Sequence, residues 1–444
     1  MENLSMDDKT FYIETYGCAA NKADSYIITD LLQKAGYRKV KFESARIIVI
    51  NTCGVKEQTE NKIRARLKEL NNFTRDNPSR KIIIAGCLPH ISSRYLQKIK
   101  KILPNFSAII GLNSIFQIPS VVEKINKGQD NLVLVSDQRY DKAKYAVNYP
   151  KGKLTGIIPI SEGCLGDCTY CCVKNARGKL NCYPPASIIK TIESQLAQGI
   201  RQIYLTSQDC STYTYNGANL SEVMEMINGI EYEFFLRLGM INPQFLINNL
   251  NQIIEILEFE KIYQFLHIPI QSASDLILKR MKRHYTLSDI IGNIAILRET
   301  LPYLTISTDI ICGFPGESEY DFYKTINFIK WLQPEILNIS QFTPRPGTKA
   351  KKMNQLKSQI IKERSTRLSH IFRQSLKYIN EKWLGWEGKI LVLHNGSREN
   401  QAFGRNFAYK NIFIEDYSGN YGEFVNVEIT KIAGFNLFAK KIEK

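Results

Sequence analysis

Ten cysteines stand in this chain, and six of them are spaced for chemistry. Cys164, Cys168 and Cys171 follow one another as C-x3-C-x2-C, directly after a short apolar run at 156–160. Three thiolates on one tight loop can hold three irons of a cubane and leave the fourth iron open. An open iron can take a substrate or cofactor, whereas a fourth cysteine would close the cluster for electron transfer. Structural zinc normally takes four ligands, and no paired C-x2-C or H-x3-H lies nearby to complete such a site. Buried free thiols are the other bland alternative. Spacing and strand context favour the open cluster.

A second trio is spread along the chain. Cys18, Cys53 and Cys87 each end a short apolar run, at 11–18, 47–53 and 82–87, with helical periodicity between them at 25–35 and 58–70. Alternating strand and helix predicts a parallel sheet whose strand ends share one edge, which brings the three thiols together. Such a trio also suits a cluster with one free iron. Three core cysteines at strand ends would look the same, and the residues alone leave both readings open. Cys172, Cys182, Cys210 and Cys312 read as packing residues, and His267 as a hydrogen-bonded rim residue.

The elements that position these residues follow from length and periodicity. A chain of 444 residues is too long for one ordinary core. The expected organisation is an N-terminal α/β parallel-sheet domain at 9–120, a linker at 121–150, a second α/β domain at 151–380 and a small all-β domain at 381–444. In the second domain, strand signals at 156–160, 202–207, 234–239, 263–268, 304–311 and 335–341 alternate with helical patterns at 185–197, 287–300 and 320–331. Six such units predict a partial (βα)6 barrel, since a closed barrel takes eight. Its chemistry belongs at the carboxyl ends of the strands, where Ser207, Gln208, Asp209, Arg237, Gln271, Ser272, Asp309 and Gln341 gather. The turn at 313–317 would let backbone approach a nucleoside closely. A long amphipathic helix is predicted at 355–382. Beyond Trp386, short strands and turns outline a small β-barrel, a scaffold used for single-stranded RNA. Core packing is the expected role for most of its aromatics, Phe403, Phe407, Tyr409 and Tyr417.

Charge separates the segments. The net charge is +16, yet residues 161–344 carry 14 basic against 19 acidic side chains, while residues 345–377 carry ten against one. Basic surface flanking an acidic centre suits a polyanion such as RNA, with plain solubility as the alternative. Lys62, Arg64, Arg66 and Lys68 on the second helix pose the same choice between RNA contact and a solvated face. Met1 to Asp8 is polar and does not read as a secretion signal, and no apolar run approaches a membrane span. Clustered thiols of this kind need a reducing compartment, so a cytoplasmic location is expected.

The chain resembles the methylthiotransferase family of radical S-adenosylmethionine (SAM) enzymes over essentially its whole length, closest to the archaeal and eukaryotic threonylcarbamoyladenosine tRNA branch. The stretches that carry this are YGC at 16–18, NTC at 51–53, AGC at 85–87, KNARG at 174–178, RLGMINP at 237–243, HIPIQS at 267–272, DIICGFPGE at 309–317 and QFTPRPGT at 341–348. The KNARG stretch looks like this branch, where bacterial members typically carry Pro-x-x-Arg-Gly. Cys172 stands where the branch often has lysine. The eukaryotic members' hydrophobic C-terminal anchor has no counterpart here, so an archaeal-type enzyme is expected.

The resemblance implies a radical SAM barrel, a C-terminal TRAM domain and two [4Fe–4S] clusters. Cys164, Cys168 and Cys171 would hold the SAM-cleaving cluster, and Cys18, Cys53 and Cys87 the auxiliary one. Gln208, Asp209, Arg237, Gln271 and Asp309 are the expected SAM contacts. No side chain is assigned as a general base, because the cofactors carry the chemistry. The implied reaction is 2-methylthiolation of N6-threonylcarbamoyladenosine at position 37 of tRNA, 3′ of the anticodon. The implied partners are the tRNA anticodon stem-loop and a flavodoxin- or ferredoxin-type reductant, with no membrane. Isopentenyladenosine in tRNA, an aspartate of a ribosomal protein, or a non-catalytic iron–sulfur RNA-binding role are the alternatives.

Overall fold

The computed structural model describes residues 9–55, 57–145 and 147–443. The polar segment 1–8 lies outside them. Contacts divide the chain into two compact units. The first is built from the N-terminal residues up to Tyr149 together with Ser161–Pro184 and Arg345–Thr348; the second comprises Pro150–Ile160, Pro185–Pro344 and Lys349–Lys444. The cysteine loop at 164–171 therefore belongs by contact to the first unit.

The first unit is a six-stranded parallel sheet. Its strands are β1 (Thr10–Thr15), β2 (Arg38–Lys39), β3 (Ile47–Thr52), β4 (Lys81–Gly86), β5 (Ala108–Gly111) and β6 (Leu132–Leu134), in the order β2-β1-β3-β4-β5-β6. Near-continuous Ile and Val runs in β3 and β4 are what a strand buried on both faces requires. Ile48, Ile50, Ile82 and Ile84 face helix α2 (Glu57–Asp76) through Ile63, Leu67 and Leu70. Ile47, Val49, Ile83 and Ala85 face helix α1 (Ala19–Lys34) through Ile27, Ile28 and Leu32. Helix α1 starts at Ala19, well before the predicted 25. Its first two turns bury Asn21, Asp24 and Ser25, which removes the apolar periodicity that marks a helix. Residues 121–150 carry the end of a helix, Ile118–Asn126, and the edge strand β6.

In the second unit, β7 (Thr155–Pro159), β8 (Gln202–Thr206), β9 (Phe235–Arg237), β10 (Phe265–His267), β11 (Thr305–Cys312) and β12 (Ile336–Gln341) run parallel in sequence order. Leu236 and Ile262 bridge the two halves, so the six strands form one open partial barrel. Helices α3 (Leu287–Thr300) and α4 (Glu319–Leu332) open on capping boxes, Thr286 with Asp289 and Ser318 with Asp321, which satisfy the free amides of their first turns.

The last five strands, β13 (Glu387–Asn395), β14 (Ala402–Asn406), β15 (Asn411–Ile414), β16 (Phe424–Ala433) and β17 (Asn436–Lys441), close into a barrel in the order β13-β14-β15-β17-β16. Ile390, Val392, Ile412, Ile414, Val427, Ile429 and Leu437 fill it. Its outer Leu391, Leu393 and Tyr409 pack on Phe235, Tyr263 and Phe265, which lie at or near the starts of barrel strands. Thr305 Oγ1 donates to the Ala408 carbonyl oxygen at 2.7 Å, fixing the same contact. Helix α5 (Ser358–Glu381) leads into this barrel.

Candidate functional site

Cys18, Cys53 and Cys87 each lie just beyond the carboxyl end of a strand, β1, β3 and β4. The sheet order reverses direction between β1 and β3, which is where open α/β sheets leave a crevice for ligands. Asn21 ties two of the trio together. Its Oδ1 lies 3.6 Å from Cys18 Sγ and 3.5 Å from Cys87 Sγ. Its Nδ2 donates to the Thr52 carbonyl oxygen at 2.8 Å, so the amide cannot turn away. A Cβ on Gly17, at φ +117°, would lie 2.7 Å from Cys53 Cβ and 3.0 Å from its sulfur. Only glycine fits there. Burial pushes the Cys87 thiol up to about 12 and raises Cys53 in the same direction.

Beside the trio lies a buried ionic network. Arg177 donates through Nη2 to Asp24 Oδ2 at 3.0 Å and to Asn21 Oδ1 at 3.2 Å, and through Nη1 to Glu162 Oε1 at 2.5 Å. Lys142 Nζ reaches Asp24 Oδ1 at 2.8 Å and Glu162 Oε1 at 3.1 Å. Burial alone would raise the Asp24 carboxyl, but Lys142 and Arg177 hold it below its ordinary value. Sequence reasoning missed this network. Arg177 was visible only as part of the KNARG stretch, and Asp24, Lys142 and Glu162 share no motif.

Cys164, Cys168 and Cys171 are half-buried on one loop of the same unit. Gly166 N–H donates to Cys164 Sγ at 3.2 Å. Val173 N–H donates likewise to the Cys171 sulfur, and Val55 N–H to the Cys53 sulfur. In all three cases the amide two residues after a cysteine points at its sulfur, the arrangement that stabilises a thiolate. Burial, with Cys168, Cys172 and Cys164 nearby, pushes the Cys171 thiol up to about 12. Among the described residues no trio of Cys, His, Asp or Glu closes on a single ion-sized point. A cubane carries its irons on separate corners, so its thiolates must stand further apart than the ligands of one ion. Three thiols at each site are the donor set of a cluster with one open iron.

Of the other cysteines, Cys172 is buried with its thiol on the Gly54 carbonyl oxygen. Cys210 and Cys312 are buried in the second unit, and Cys182 is half-buried in the first.

At the strand ends of the partial barrel the five expected cofactor contacts divide. Asp309 Oδ2 lies 2.9 Å from His267 Nε2, with both side chains partly open. Gln271 takes a left-handed backbone, φ +73°, held by its N–H on the Asp309 carbonyl oxygen at 2.7 Å. Gln208 is half-buried at the end of β8. Asp209 is buried, which raises its carboxyl, and its Oδ1 accepts from Ser211 N–H, Ser211 Oγ and Asn242 N–H. Arg237 is enclosed by Tyr204, Phe265 and Tyr409, whose ring centroids lie 4.8 to 5.3 Å from its guanidinium carbon. It donates to Tyr409 Oη at 3.1 Å. The turn at Gly313 also packs closely on a neighbouring helix. A Cβ there would lie 2.4 Å from Ile361 Cγ1, so the glycine admits the close approach of helix α5.

On the C-terminal barrel, Tyr409 and Tyr417 are buried, and Phe407 packs against the core. Phe403 instead joins a row on the outer face: His394 and Phe403 stack at 4.7 Å, Phe403 and Phe413 meet at 5.3 Å, and Phe413 and Phe438 stack at 5.7 Å. Phe413 and Phe438 stay half-exposed, a feature the sequence did not single out. Lys349, Lys351, Lys352, Lys357, Lys362 and Arg373 are exposed in and before α5. On α2, by contrast, Arg64 pairs with Glu60 and Arg66 with Glu14 and Glu69.

Residues 158–329 match the Radical SAM superfamily, and residues 10–111 match the uncharacterized protein family UPF0004. The fold is similar to that of the radical S-adenosylmethionine methyltransferase TsrM from Kitasatospora setae, with a TM-score of 0.57 at 13% identity over 77% of each chain. The partial barrel thus defines a radical SAM fold. A probable threonylcarbamoyladenosine tRNA methylthiotransferase from Pyrococcus horikoshii is 38% identical over 97% of this chain and 99% of its own length. The Drosophila melanogaster and Homo sapiens threonylcarbamoyladenosine tRNA methylthiotransferases are 33% and 34% identical, over 100% and 96% of this chain and 79% and 74% of theirs. The chain belongs to the threonylcarbamoyladenosine tRNA methylthiotransferase family, and it is a radical SAM enzyme.

Proposed function

We propose that this enzyme converts N6-threonylcarbamoyladenosine, 3′ of the anticodon in tRNA, to its 2-methylthio derivative. The observation that carries the reading is the pair of cysteine trios, in which three sulfurs accept an amide from two residues on, within a full-length member of this family. Cys164, Cys168 and Cys171 would hold one [4Fe–4S] cluster and Cys18, Cys53 and Cys87 the other. When bound, the clusters and SAM supply the one-electron chemistry that an unactivated aromatic C–H needs, and the group transferred.

The protein's own residues do the holding. Backbone amides at Val55, Gly166 and Val173 favour the thiolate forms of Cys53, Cys164 and Cys171. Asp309, oriented by His267, and the neighbouring Gln271 and Gln208 offer polar atoms for SAM. Asp209 and Arg237, already engaged, order the rim and the barrel base. An unpaired adenosine beside the anticodon can be splayed out for reaction without breaking a duplex. The Phe403–Phe413–Phe438 row and the exposed lysines before and along α5 suit stacking and phosphate contact with the anticodon stem-loop. The electron source is a flavodoxin- or ferredoxin-type protein, and the reduced thiols fit the cytoplasm. Among the described residues no helix is long and apolar enough to cross a membrane.

Anaerobic reconstitution tests the ligand assignment. The intact chain should bind about eight irons and cleave SAM to methionine and 5′-deoxyadenosine when reduced. Replacing Cys164, Cys168 and Cys171 by alanine should leave about four irons and abolish cleavage. Unchanged iron after replacing either trio would overturn it.

A further inference from the structure

We infer that Arg177, carried six residues after Cys171, is the electrostatic positioning residue for the other trio: it sets a buried cation against the cluster held by Cys18, Cys53 and Cys87, and eases that cluster's reduction. The inference rests on the ligand assignment proposed above.

The geometry is a shared atom. Asn21 Oδ1 lies 3.6 Å from Cys18 Sγ, 3.5 Å from Cys87 Sγ and 3.2 Å from Arg177 Nη2. The guanidinium cannot swing away, because Asp24 and Glu162 hold its two ends. Its side chain is 4% exposed, so water screens the charge little. The four ionic members, Asp24, Glu162, Lys142 and Arg177, sum to no net charge, but they are not equivalent. Lys142 bonds both acids, whereas Arg177 also bonds Asn21 Oδ1, the atom beside the Cys18 and Cys87 sulfurs. Three thiolates and a cluster that gains an electron form an increasingly negative group, on a site where Cys53 and Cys87 are buried and Cys18 is exposed. A fixed cation beside it favours the reduced form, and net charge and hydrogen bonds near the sulfurs are known levers on cluster potential.

A purely structural role for Arg177 predicts something different. Removing one partner of a buried ion network leaves an uncompensated acid, which destabilises the fold whatever the cluster does. The pair Arg177→Met with Asp24→Asn removes one cation and one anion together, so the remaining Lys142 and Glu162 stay balanced.

The test uses the full-length chain with Cys164, Cys168 and Cys171 replaced by alanine, so that only the first trio can load. Iron per chain and the cluster midpoint potential, from a dye-mediated titration followed by electron paramagnetic resonance, are read for this parent, for Arg177→Lys and for Arg177→Met/Asp24→Asn. The parent should hold about four irons. The double variant should keep its iron while its potential moves to more negative values, and the lysine variant should stay closer to the parent. Full iron with an unchanged potential in the double variant would overturn the role of Arg177. A parent that takes up no iron would instead overturn the ligand assignment, and the inference with it.

Discussion

The Cys172 thiol donates to the Gly54 carbonyl oxygen at 3.5 Å. Cys172 follows Cys171 and Gly54 follows Cys53, so one backbone oxygen ties the polypeptide of one cysteine trio to that of the other. Arg345 Nη2 donates to the same oxygen at 2.6 Å and to Glu60 Oε2 at 2.8 Å. Tyr95 Oη donates to Glu60 at 2.8 Å and Arg64 pairs with its other oxygen, and together these donors hold the carboxyl below the usual range against the cost of burial.

Arg345→Met should therefore destabilise the chain by about 1.5–3 kcal/mol in urea unfolding, because Glu60 loses its buried charged donor and keeps only the more exposed Arg64 on its other oxygen. Cys172→Ala removes only a weak S–H donor and should cost about 1 kcal/mol. Its iron content should match the unaltered chain, since Cys172 belongs to neither trio. Lost iron in Cys172→Ala would make it a ligand.

Iron should change how stability depends on pH. Burial places the Cys87 and Cys171 thiols at about 12, up from 9.0. A raised thiol stabilises the fold below 9.0, and that contribution is lost as pH climbs toward 12, because the unfolded chain ionises first. Iron-free protein should lose urea resistance steadily between pH 9 and 11. Bound thiolates are already deprotonated, so iron-loaded protein should show a smaller fall, and iron uptake should tighten with rising pH. Parallel profiles for the two forms would contradict this.

Arg237 and Asp309 should separate when each is altered. Arg237 sits in a cage of Tyr204, Phe265 and Tyr409, so Arg237→Met should lower the melting temperature by several degrees through loss of packing between the two barrels. Asp309→Asn retains the shape of the rim and should melt like the unaltered chain while binding SAM several-fold more weakly. Calorimetry with SAM on both variants decides the matter.

The outer aromatic row gives a prediction for RNA. Phe413→Ala with Phe438→Ala removes two half-exposed stacking faces, each worth about 1–3 kcal/mol if a base lies on it. Affinity for tRNA should fall with little change in salt dependence. Lys351→Gln with Lys352→Gln should instead flatten the salt dependence by about two phosphate contacts. Filter binding at several salt concentrations distinguishes the two effects.

Much of this was legible in the sequence. The period of apolar residues marks β1, β3 and β4, and the trio at their ends follows from parallel topology alone. The local trio is legible from spacing. What stayed hidden is polar and buried. Asn21, Asp24, Glu162, Lys142 and Arg177 come from four separated stretches, and nothing in local periodicity pairs a lysine at 142 with an aspartate at 24. The same residues concealed the first turns of α1, because a helix that buries asparagine and aspartate toward a site shows no apolar stripe there. Arg237 lies at a strand end, as rim residues do, but the aromatic cage that claims it includes Tyr409, from a barrel far along the chain.

The central claim is tested most directly by mass spectrometry of nucleosides from tRNA that carries threonylcarbamoyladenosine and lacks methylthio groups, incubated anaerobically with reconstituted enzyme, SAM, a sulfide source and a reductant. The account predicts a new nucleoside heavier by one methylthio group in place of one hydrogen, on threonylcarbamoyladenosine, and absent when Cys18, Cys53 and Cys87 are replaced. SAM cleavage with the threonylcarbamoyladenosine unchanged, or a methylthio group appearing only on isopentenyladenosine, would contradict it.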